Sequence, residues 1–130
     1  MKKHINNCTI DELNTLAAKA QGWHQRQFFA CDSAVSWASH FDSDGYTLHA
    51  YVEDYDPCHN GQQAMDLLKE FEATLGIASD KRLGLWVSGI ITKSDENGYP
   101  LTVIHAHADT PEIAIVRAVI VSKFGEMVEV

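Results

Sequence analysis

Apolar residues recur at helical spacing in three stretches of the chain, about 10–21, 61–75 and 111–124. In the first stretch they form one stripe, as expected for a helix with one face on a core. Thr9 and Glu12 at its start form a capping box, in which the Thr9 hydroxyl accepts from the Glu12 amide and the Glu12 carboxylate reaches back. The pattern therefore predicts three helices.

The second and third helices also have residues suited to their ends. Asn60 is a favourable N-cap for the second helix. Thr110 caps the third, with Pro111 in the first turn and Gly125 after the last turn. The third helix is apolar nearly all round, so it must be covered on more than one side. A homodimer contact through 111–124 would cover it, and so would the Trp-bearing segments of the same chain.

Alternating apolar and polar residues predict three strands. The first is 46–52. The other two, 83–92 and 101–108, are joined by the pair Asn97-Gly98, which adopts positive φ at low cost in a hairpin turn. These two strands are therefore expected to pair antiparallel. In the first strand of this hairpin, one face carries Leu83, Leu85, Val87 and Ile91, and the other carries Trp86 and Ile90.

Helices combined with an antiparallel sheet predict an α+β fold, a small α/β sandwich. A length of 130 residues, of which 45% are hydrophobic, suits a single domain spanning residues 1–130. The formal net charge is −8, so the chain lacks the basic footprint of a protein that binds a phosphate backbone. No apolar run reaches the ~20 residues needed to cross a bilayer. We therefore expect neither nucleic-acid nor membrane binding.

The cysteines bear on the compartment in which the protein works. There are three, Cys8, Cys31 and Cys58, at wide spacings and without a CxxC pair. Such an odd set favours reduced thiols in a cytoplasm over a disulfide framework. The first residues, MKKHINNCTIDEL, contain no apolar segment of the kind found in a signal peptide. The sequence thus predicts a cytoplasmic protein.

The stretch VIHAHADTPE contains the pattern His-x-His-x-Asp, at His105, His107 and Asp109. On a strand, alternate residues face the same way, so the two histidines can share a metal. Zinc needs a further protein ligand, which could come from His49, His59 or Cys58. The favoured interpretation is structural: Asp109 belongs to the start of the third helix, and the histidines continue one strand face with Leu101 and Val103. The small residues of the opposite face are expected under a helix: Ile104, Ala106 and Ala108.

Two other groups of polar residues have side chains that could perform chemistry. Cys58 and His59 resemble a Cys/His nucleophile pair, but catalytic partners must adjoin in space, and sequence neighbours in a loop diverge. This acidic chain also offers little positive charge to activate a thiol. A carboxylate cluster, Glu53, Asp54 and Asp56, could hold calcium, yet the remaining ligands of a calcium loop are missing. A solvated acidic loop is the favoured interpretation.

Three segments together resemble a known family. They are TIDELNTLAAKAQGW, YDPCHNGQQAMDLLKEF and HADTPEIAIVRAV, which give a helix ending in Gly-Trp, a Tyr-Asp turn before an amphipathic helix, and a helix opened by Thr-Pro. This order resembles the phage ABA-sandwich family and a related lambdoid-phage domain of unknown function. The resemblance covers about residues 9–124, although residues 24–50 do not align. It implies an α/β sandwich carried by a bacterial virus, and it supplies no catalytic residues.

The acidic charge, the lack of a catalytic constellation and the resemblance favour a non-enzymatic accessory protein of a phage or prophage, without a cofactor. It would bind a host protein in the host cytoplasm, for example a component of an antiviral defence system. The expected contact surface is the aromatic and acidic region between the first two helices. Its members are Trp37, Tyr46, Tyr51, Glu53, Asp54, Tyr55 and Asp56.

Two alternatives remain open. The protein could bind a small ligand or nucleotide at a homodimer seam, with histidines and aromatic rings stacking on a base. It could instead be a metal-dependent hydrolase centred on His105 and His107. A bound metabolite would support the first alternative. A bound metal ion and a melting temperature lowered by a chelator would support the second.

Overall fold

The computed structural model describes residues 1–26, 36–38, 51–52 and 55–130. Within these residues the fold is α+β, as the sequence predicts. The helices are α1 (Ile10–Ala20), α2 (Gly61–Glu70) and α3 (Pro111–Phe124). The strands are β1 (Lys2–His4), β2 (His24–Arg26), β3 (Ser36–Ala38), β4 (Tyr51–Val52), β5 (Thr74–Ile77), β6 (Trp86–Ser94), β7 (Pro100–Ala108) and β8 (Met127–Glu129).

The described strands pair antiparallel and form three sheets. β1 pairs with β8, β3 lies between β2 and β4, and β6 lies between β5 and β7. In the last of these sheets Gly89 lies opposite His105. The predicted hairpin is thus confirmed. In its turn, however, Gly98 has positive φ (84°) and Asn97 does not.

The residues expected at the helix ends cap the helices as predicted. Thr9 Oγ1 accepts from the Glu12 amide (3.2 Å) and Glu12 Oε1 accepts from the Thr9 amide (2.9 Å), which completes the capping box of α1. Asn60 Oδ1 accepts from the third amide of α2 (3.0 Å). Thr110 Oγ1 does the same for α3 (3.4 Å). These local bonds explain why the starts of all three helices could be read from the sequence.

The second helix is shorter than predicted. It ends at Glu70 and not at residue 75, and Glu72 has a φ of 52°, a left-handed conformation that breaks a helix. Thr74–Ile77 then forms β5 and pairs with β6. Leu75 continues the helical spacing of the apolar residues of α2. It nevertheless lies in a strand, because β5 pairs with β6. The local pattern contains no information about that pairing.

The strand predicted over 83–92 runs instead from Trp86 to Ser94. Leu83 ends a 3-10 turn (Lys81–Leu83), and Leu85 also precedes the strand. Between them, Gly84 has a φ of 125° and lies against the backbone of Ala108, where a side chain has no room. This close approach interrupts the strand before Trp86. The other predicted face assignments are correct: Val87 and Ile91 lie on one face, Trp86 and Ile90 on the other.

The core forms around α3, which contacts β6 and β7 as well as α1 and α2. Ala106 and Ala108 of β7 are buried under this helix, as predicted, because small side chains let a helix approach a sheet. The helix is therefore covered from within the chain. A homodimer contact is not needed to cover the apolar residues around this helix. Such a contact stays a prediction. The helix contributes these fully buried side chains: Ile115, Val116, Val119 and Ile120.

Some expectations fall partly outside the described residues. Of the strand predicted over 46–52, Tyr51–Val52 is a strand, whereas 46–50 lie outside the described ranges, as does Cys31. Cys8 and Cys58 are free cysteines. As for a membrane span, no helix in the described ranges combines the length and apolar character that crossing a bilayer requires.

Candidate functional site

One face of the β5–β6–β7 sheet turns away from α3 and is called the open face here. Alternate residues of a strand point to opposite faces, and Ile90, Ala106 and Ala108 are buried on the side of α3. Their neighbours therefore point to the opposite side, and both histidines of the His-x-His pattern share it, as predicted. The open face carries Val87, Gly89 and Ile91 from β6 and Val103, His105 and His107 from β7, whereas Leu101 lies where the register of the two strands shifts.

The end of the β6–β7 hairpin extends beyond α3. The helix has 14 residues and is about 21 Å long, whereas β7 has 9 residues and is about 30 Å long. Residues 91–103 are exposed on both faces, apart from the partly buried Asp95. Four large side chains among them are 40–69% exposed. We call them the hairpin surface: Ile91, Tyr99, Leu101 and Val103.

One carboxylate holds the turn of this hairpin. Asp95 Oδ1 accepts from the amides of Asn97 (2.9 Å) and Tyr99 (2.8 Å). The Asp95 amide donates to the Tyr99 carbonyl (2.9 Å), and Gly98 supplies the positive φ that closes the turn. The exposed Tyr99 ring therefore starts from a backbone that is hydrogen-bonded on both its amide and its carbonyl.

The His105 ring lies over Gly89, its cross-strand neighbour on the open face. A Cβ built at Gly89 would lie 3.2 Å from His105 Cδ2 and 3.0 Å from Thr74 Oγ1. The absence of a side chain at Gly89 thus makes the space that the imidazole occupies. His105 thus packs against Gly89 and is otherwise exposed.

His107 lies near the end of β7, beside the turn 80–83. Hydrogen bonds from Arg82 lower the pKa of Asp80, and the charge of His107 adds a smaller effect in the same direction. The His107 carbonyl accepts from Arg117 Nη1 (2.7 Å), which ties this end of β7 to α3. The two histidines therefore share a face and line one recess with His4 and Glu126, but their nearest contacts differ.

Within the described residues no group of three or more His, Cys, Asp or Glu side chains is placed to hold a metal ion. Of the residues considered as a further ligand, Cys58 is buried, and His59 Nδ1 pairs with Asp56 Oδ2 (2.9 Å). His49 lies outside the described ranges. Among the residues that can be placed, the structure thus provides no third ligand beside His105 and His107.

Cys58 is a core residue whose amide donates to Asn14 Oδ1 (3.2 Å). Burial raises the pKa of its thiol to about 12, and the charge of Asp56 adds to the effect, so the sulfur stays protonated at neutral pH. The adjacent His59 is exposed and faces Asp56 instead. A thiol in this state is a poor nucleophile, which agrees with the interpretation that Cys58 and His59 are not a catalytic pair.

The residues predicted to contact a partner are distributed over described and undescribed parts of the chain. Tyr46, Glu53 and Asp54 lie outside the described residues. Trp37 and Tyr51 belong to β3 and β4, which pair with each other. The two remaining residues, Tyr55 and Asp56, have described side chains, and each makes specific contacts within the chain.

Tyr55 is partly buried beside the end of α1. Its hydroxyl accepts from Gln21 Nε2 (2.7 Å), and its ring centroid lies 4.8 Å from that of Trp23, with the ring planes inclined by 58°. Burial raises the pKa of the hydroxyl, and the charge of Asp66 contributes in the same direction. Tyr55 therefore joins the loop before α2 to the end of α1.

Asp56 fixes the same loop from the other side. Its Oδ1 accepts from Asn14 Nδ2 (2.7 Å), and Gln63 Oε1 accepts from its amide (2.7 Å). Partial burial would raise the pKa of the carboxyl, but hydrogen bonds from His59 and Asn14 lower it. The Asp56 carboxylate thus accepts hydrogen bonds that hold the loop. Of the three carboxylates considered as calcium ligands, the other two, Glu53 and Asp54, lie outside the described residues.

The hairpin surface is the feature that sequence reasoning missed. Alternation placed Leu101 and Val103 on one face with the histidines, but it could not show that this face is exposed. The sequence did contain one indication, because large apolar residues flank the Asn97-Gly98 turn at the end of the hairpin.

The chain matches no protein-family model, and no curated protein is similar to it at a significant level. The resemblance to the phage ABA-sandwich family therefore stays a prediction.

Proposed function

We propose that the protein works by binding another protein through the hairpin surface and does not act as an enzyme. The observation that carries this proposal is the exposure of Ile91, Tyr99, Leu101 and Val103 on a hairpin that extends beyond the helix covering its base. Exposed apolar side chains gathered on one projecting element are typical of interaction sites. Tyrosine suits such sites because its ring is apolar and its hydroxyl remains hydrated.

The edge of β7 supports the same proposal. β7 contains no charged residue, and within the described part of the chain no strand lies beside it opposite β6. Free strand edges are usually protected by lysine, by short length or by a covering element. The first half of this nine-residue edge has Pro100 at its start and two register shifts against β6, but no lysine. It would therefore accept an extended segment of a partner by strand addition.

Charge favours a different protein over a second copy as the partner. The chain carries a net charge of −8, so self-association would bring like charges together. A neutral or basic partner avoids this repulsion. If the resemblance to phage proteins holds, the partner is a host protein in the host cytoplasm, and inhibition of a defence system is one role such binding could serve.

Several groups that could perform chemistry are engaged in packing, which supports a non-enzymatic role. The Cys58 thiol is buried and protonated, the Asp56 carboxylate accepts from Asn14, and the His105 ring lies on Gly89. These contacts leave the exposed hairpin as the part of the described chain best suited to a function.

The test is site-specific photo-cross-linking in a bacterial lysate. A benzophenone amino acid replaces Tyr99 in one variant and Met65 in a matched control, since Met65 is also exposed but lies on α2. We expect one protein to be cross-linked in stoichiometric amount from position 99 and not from position 65. Cross-linking to the same proteins from both positions, or to none, would contradict the proposal.

A binding measurement with the cross-linked partner then isolates the hairpin surface. Leu101→Glu is expected to weaken binding at least about tenfold, because a buried charge replaces an apolar contact. Met65→Glu adds the same charge elsewhere and should leave the dissociation constant unchanged. Equal effects of the two substitutions would show that charge, and not the hairpin surface, governs binding.

A further inference from the structure

A recess of about 270 Å³ lies where the end of α1 meets α2. It shares no residue with the hairpin surface, so it is a separate feature of the molecule. Its lining combines two aromatic rings, two amides and one carboxylate. The lining residues are Gln21, Trp23, Tyr55, Gln63 and Asp66.

The aromatic part of the recess is a fixed pair of rings. The Trp23 and Tyr55 planes are inclined by 58° with centroids 4.8 Å apart. Gln21 Nε2 donates to the Tyr55 hydroxyl (2.7 Å) and to the Ala17 carbonyl (3.2 Å), which holds Tyr55 in place. The faces of aromatic rings carry partial negative charge and attract cations, most strongly at tryptophan.

The polar part of the recess combines acceptors, from Gln21 and Asp66, with one amide donor, since Gln63 Oε1 already accepts from the Asp56 amide (2.7 Å) and leaves its nitrogen to offer. The side-chain nitrogen of Gln21 donates both of the described hydrogen bonds of its amide. The side-chain oxygen of Gln21 can therefore accept from a ligand. Asp66 Oδ1 accepts from Gln62 Nε2 (3.0 Å) on the exposed side of α2, and the same carboxylate lines the recess. The field of Asp66 reaches Tyr55, where it adds to the effect of burial in raising the pKa of the hydroxyl.

We propose that this recess binds an organic cation, a guanidinium or ammonium group, between the Trp23 and Tyr55 rings and the Asp66 carboxylate. One carboxylate beside two aromatic rings, on a chain of net charge −8, suits a positive group. The volume admits one such group but is below the roughly 300–1,000 Å³ of usual ligand pockets, which argues against a whole nucleotide. The cation comes either from a free small amine or from an arginine or lysine side chain of a protein.

The test is an NMR titration of the whole chain with arginine amide and with citrulline amide. Citrulline amide has nearly the same shape but a neutral ureido group. We expect saturable amide shifts around Trp23, Tyr55 and Asp66 with arginine amide, with a dissociation constant on the order of millimolar for so small a probe. Citrulline amide should produce no saturable shift. Equal responses to both probes, or shifts confined to other parts of the chain, would overturn the proposal.

Matched variants separate the recess from general charge effects. Asp66→Asn is expected to weaken arginine amide binding by about fivefold or more, since it removes the ion pair and keeps the shape. Glu70→Gln removes the same charge from an exposed position on α2 and should change binding by less than about twofold. If Asp66→Asn binds as well as the unsubstituted chain, the recess is not a cation site.

The source of the cation is distinguished by comparing probes. A short arginine-containing peptide that binds at least about tenfold more tightly than arginine amide indicates a protein side chain, whereas equal affinities indicate a free small amine. Leu101→Glu, which tests the hairpin surface, should leave arginine amide binding unchanged. The proposal for the recess and the proposal for the hairpin surface can therefore be refuted independently of each other.

Discussion

His105 and His107 show that the spacing of residues along a strand does not predict which side chains surround them. They occupy alternate positions of one strand, and this spacing places them on one face. The His105 ring nevertheless lies on Gly89, while His107 lies beside the turn that contains Asp80. A metal site would need a ligand from a second element, and such a ligand depends on packing that the spacing does not encode.

Gly84 is the residue at which we expect the largest effect of adding a single methyl group. Its φ is 125°, and a Cβ there would lie 2.6 Å from the carbonyl carbon of Ala108. Gly84→Ala should therefore lower the free energy of unfolding by about 3 kcal/mol, from a strained φ together with a backbone clash. Urea denaturation followed by circular dichroism measures this change.

Gly98→Ala is the matched control for Gly84→Ala. Gly98 also has positive φ (84°), but nothing lies within 4 Å of a Cβ built there. The conformational penalty alone should lower the free energy of unfolding by about 1–2 kcal/mol. Equal losses at the two positions would show that Gly84 does not lie against Ala108.

At the scale of elements, α3 is unusual because it has almost no solvent face. It contacts the sheet through β6 and β7 and the other helices through α1 and α2. Its β-branched residues disfavour a helix mildly. The Thr110 cap, Pro111 in the first turn and Gly125 after the last nevertheless define its ends. Local capping and surrounding packing thus act together on this helix.

We predict that truncating a buried side chain of α3 destabilises the protein on either of two widely separated sides of the helix. Ile115 and Ile120 are both fully buried and lie about 140° apart around the helix axis. Ile115→Ala and Ile120→Ala should each lower the free energy of unfolding by about 2–5 kcal/mol, through lost burial and the remaining cavity. Chemical denaturation of the two variants provides the measurement.

Ser122→Ala in the last turns of α3 serves as the reference. The Ser122 hydroxyl donates to the Val119 carbonyl of its own helix (2.7 Å), and such a local bond adds little. We expect a change below about 0.5 kcal/mol. If one of the two isoleucine variants behaved like Ser122→Ala, that side of the helix would be exposed and the arrangement around α3 would be wrong.

The end of α2 shows the limit of periodicity at the same scale. Leu75 continues the apolar spacing of the helix, so the sequence predicts helix as far as residue 75. The chain instead turns at Glu72 and enters β5, because the edge of β6 offers backbone hydrogen bonds to Thr74–Ile77. A distant strand thus decides where this helix stops.

At the scale of the whole molecule, the two ends of the described chain meet in the β1–β8 sheet. Lys3 lies opposite Val128, and Val128 belongs to the same buried cluster as α1 and α3 residues. The Ile5 amide donates to the Glu126 carbonyl (2.8 Å), which continues this pairing. β8 is therefore part of the core and not an appendage.

Substitutions in β8 should accordingly alternate in their effect. Val128 is fully buried, whereas Met127 is half exposed. Val128→Ala is expected to lower the free energy of unfolding by about 1.5–3 kcal/mol, and Met127→Ala by less than about 0.5 kcal/mol. Thermal and urea unfolding of the pair would measure the difference. Similar small losses in both variants would mean that β8 does not pack on the core.

The sequence by itself determined the start of each helix and the antiparallel hairpin, because capping side chains and turn residues act over three or four positions. It also determined that Val103, His105 and His107 share one face, since strand alternation is a local property. With these, it determined the α+β class.

The tertiary structure alone decided which of those faces is covered. α3 lies over the face that carries Ile90, Ala106 and Ala108, whereas Ile91 and Val103 point to the opposite face and are exposed there. It also decided the end of α2, the burial of Cys58 and the meeting of Trp23, Tyr55 and Asp66 around one recess. Each of these results depends on contacts between segments far apart along the chain. Their free energy comes from burial and pairing that no short stretch of sequence contains.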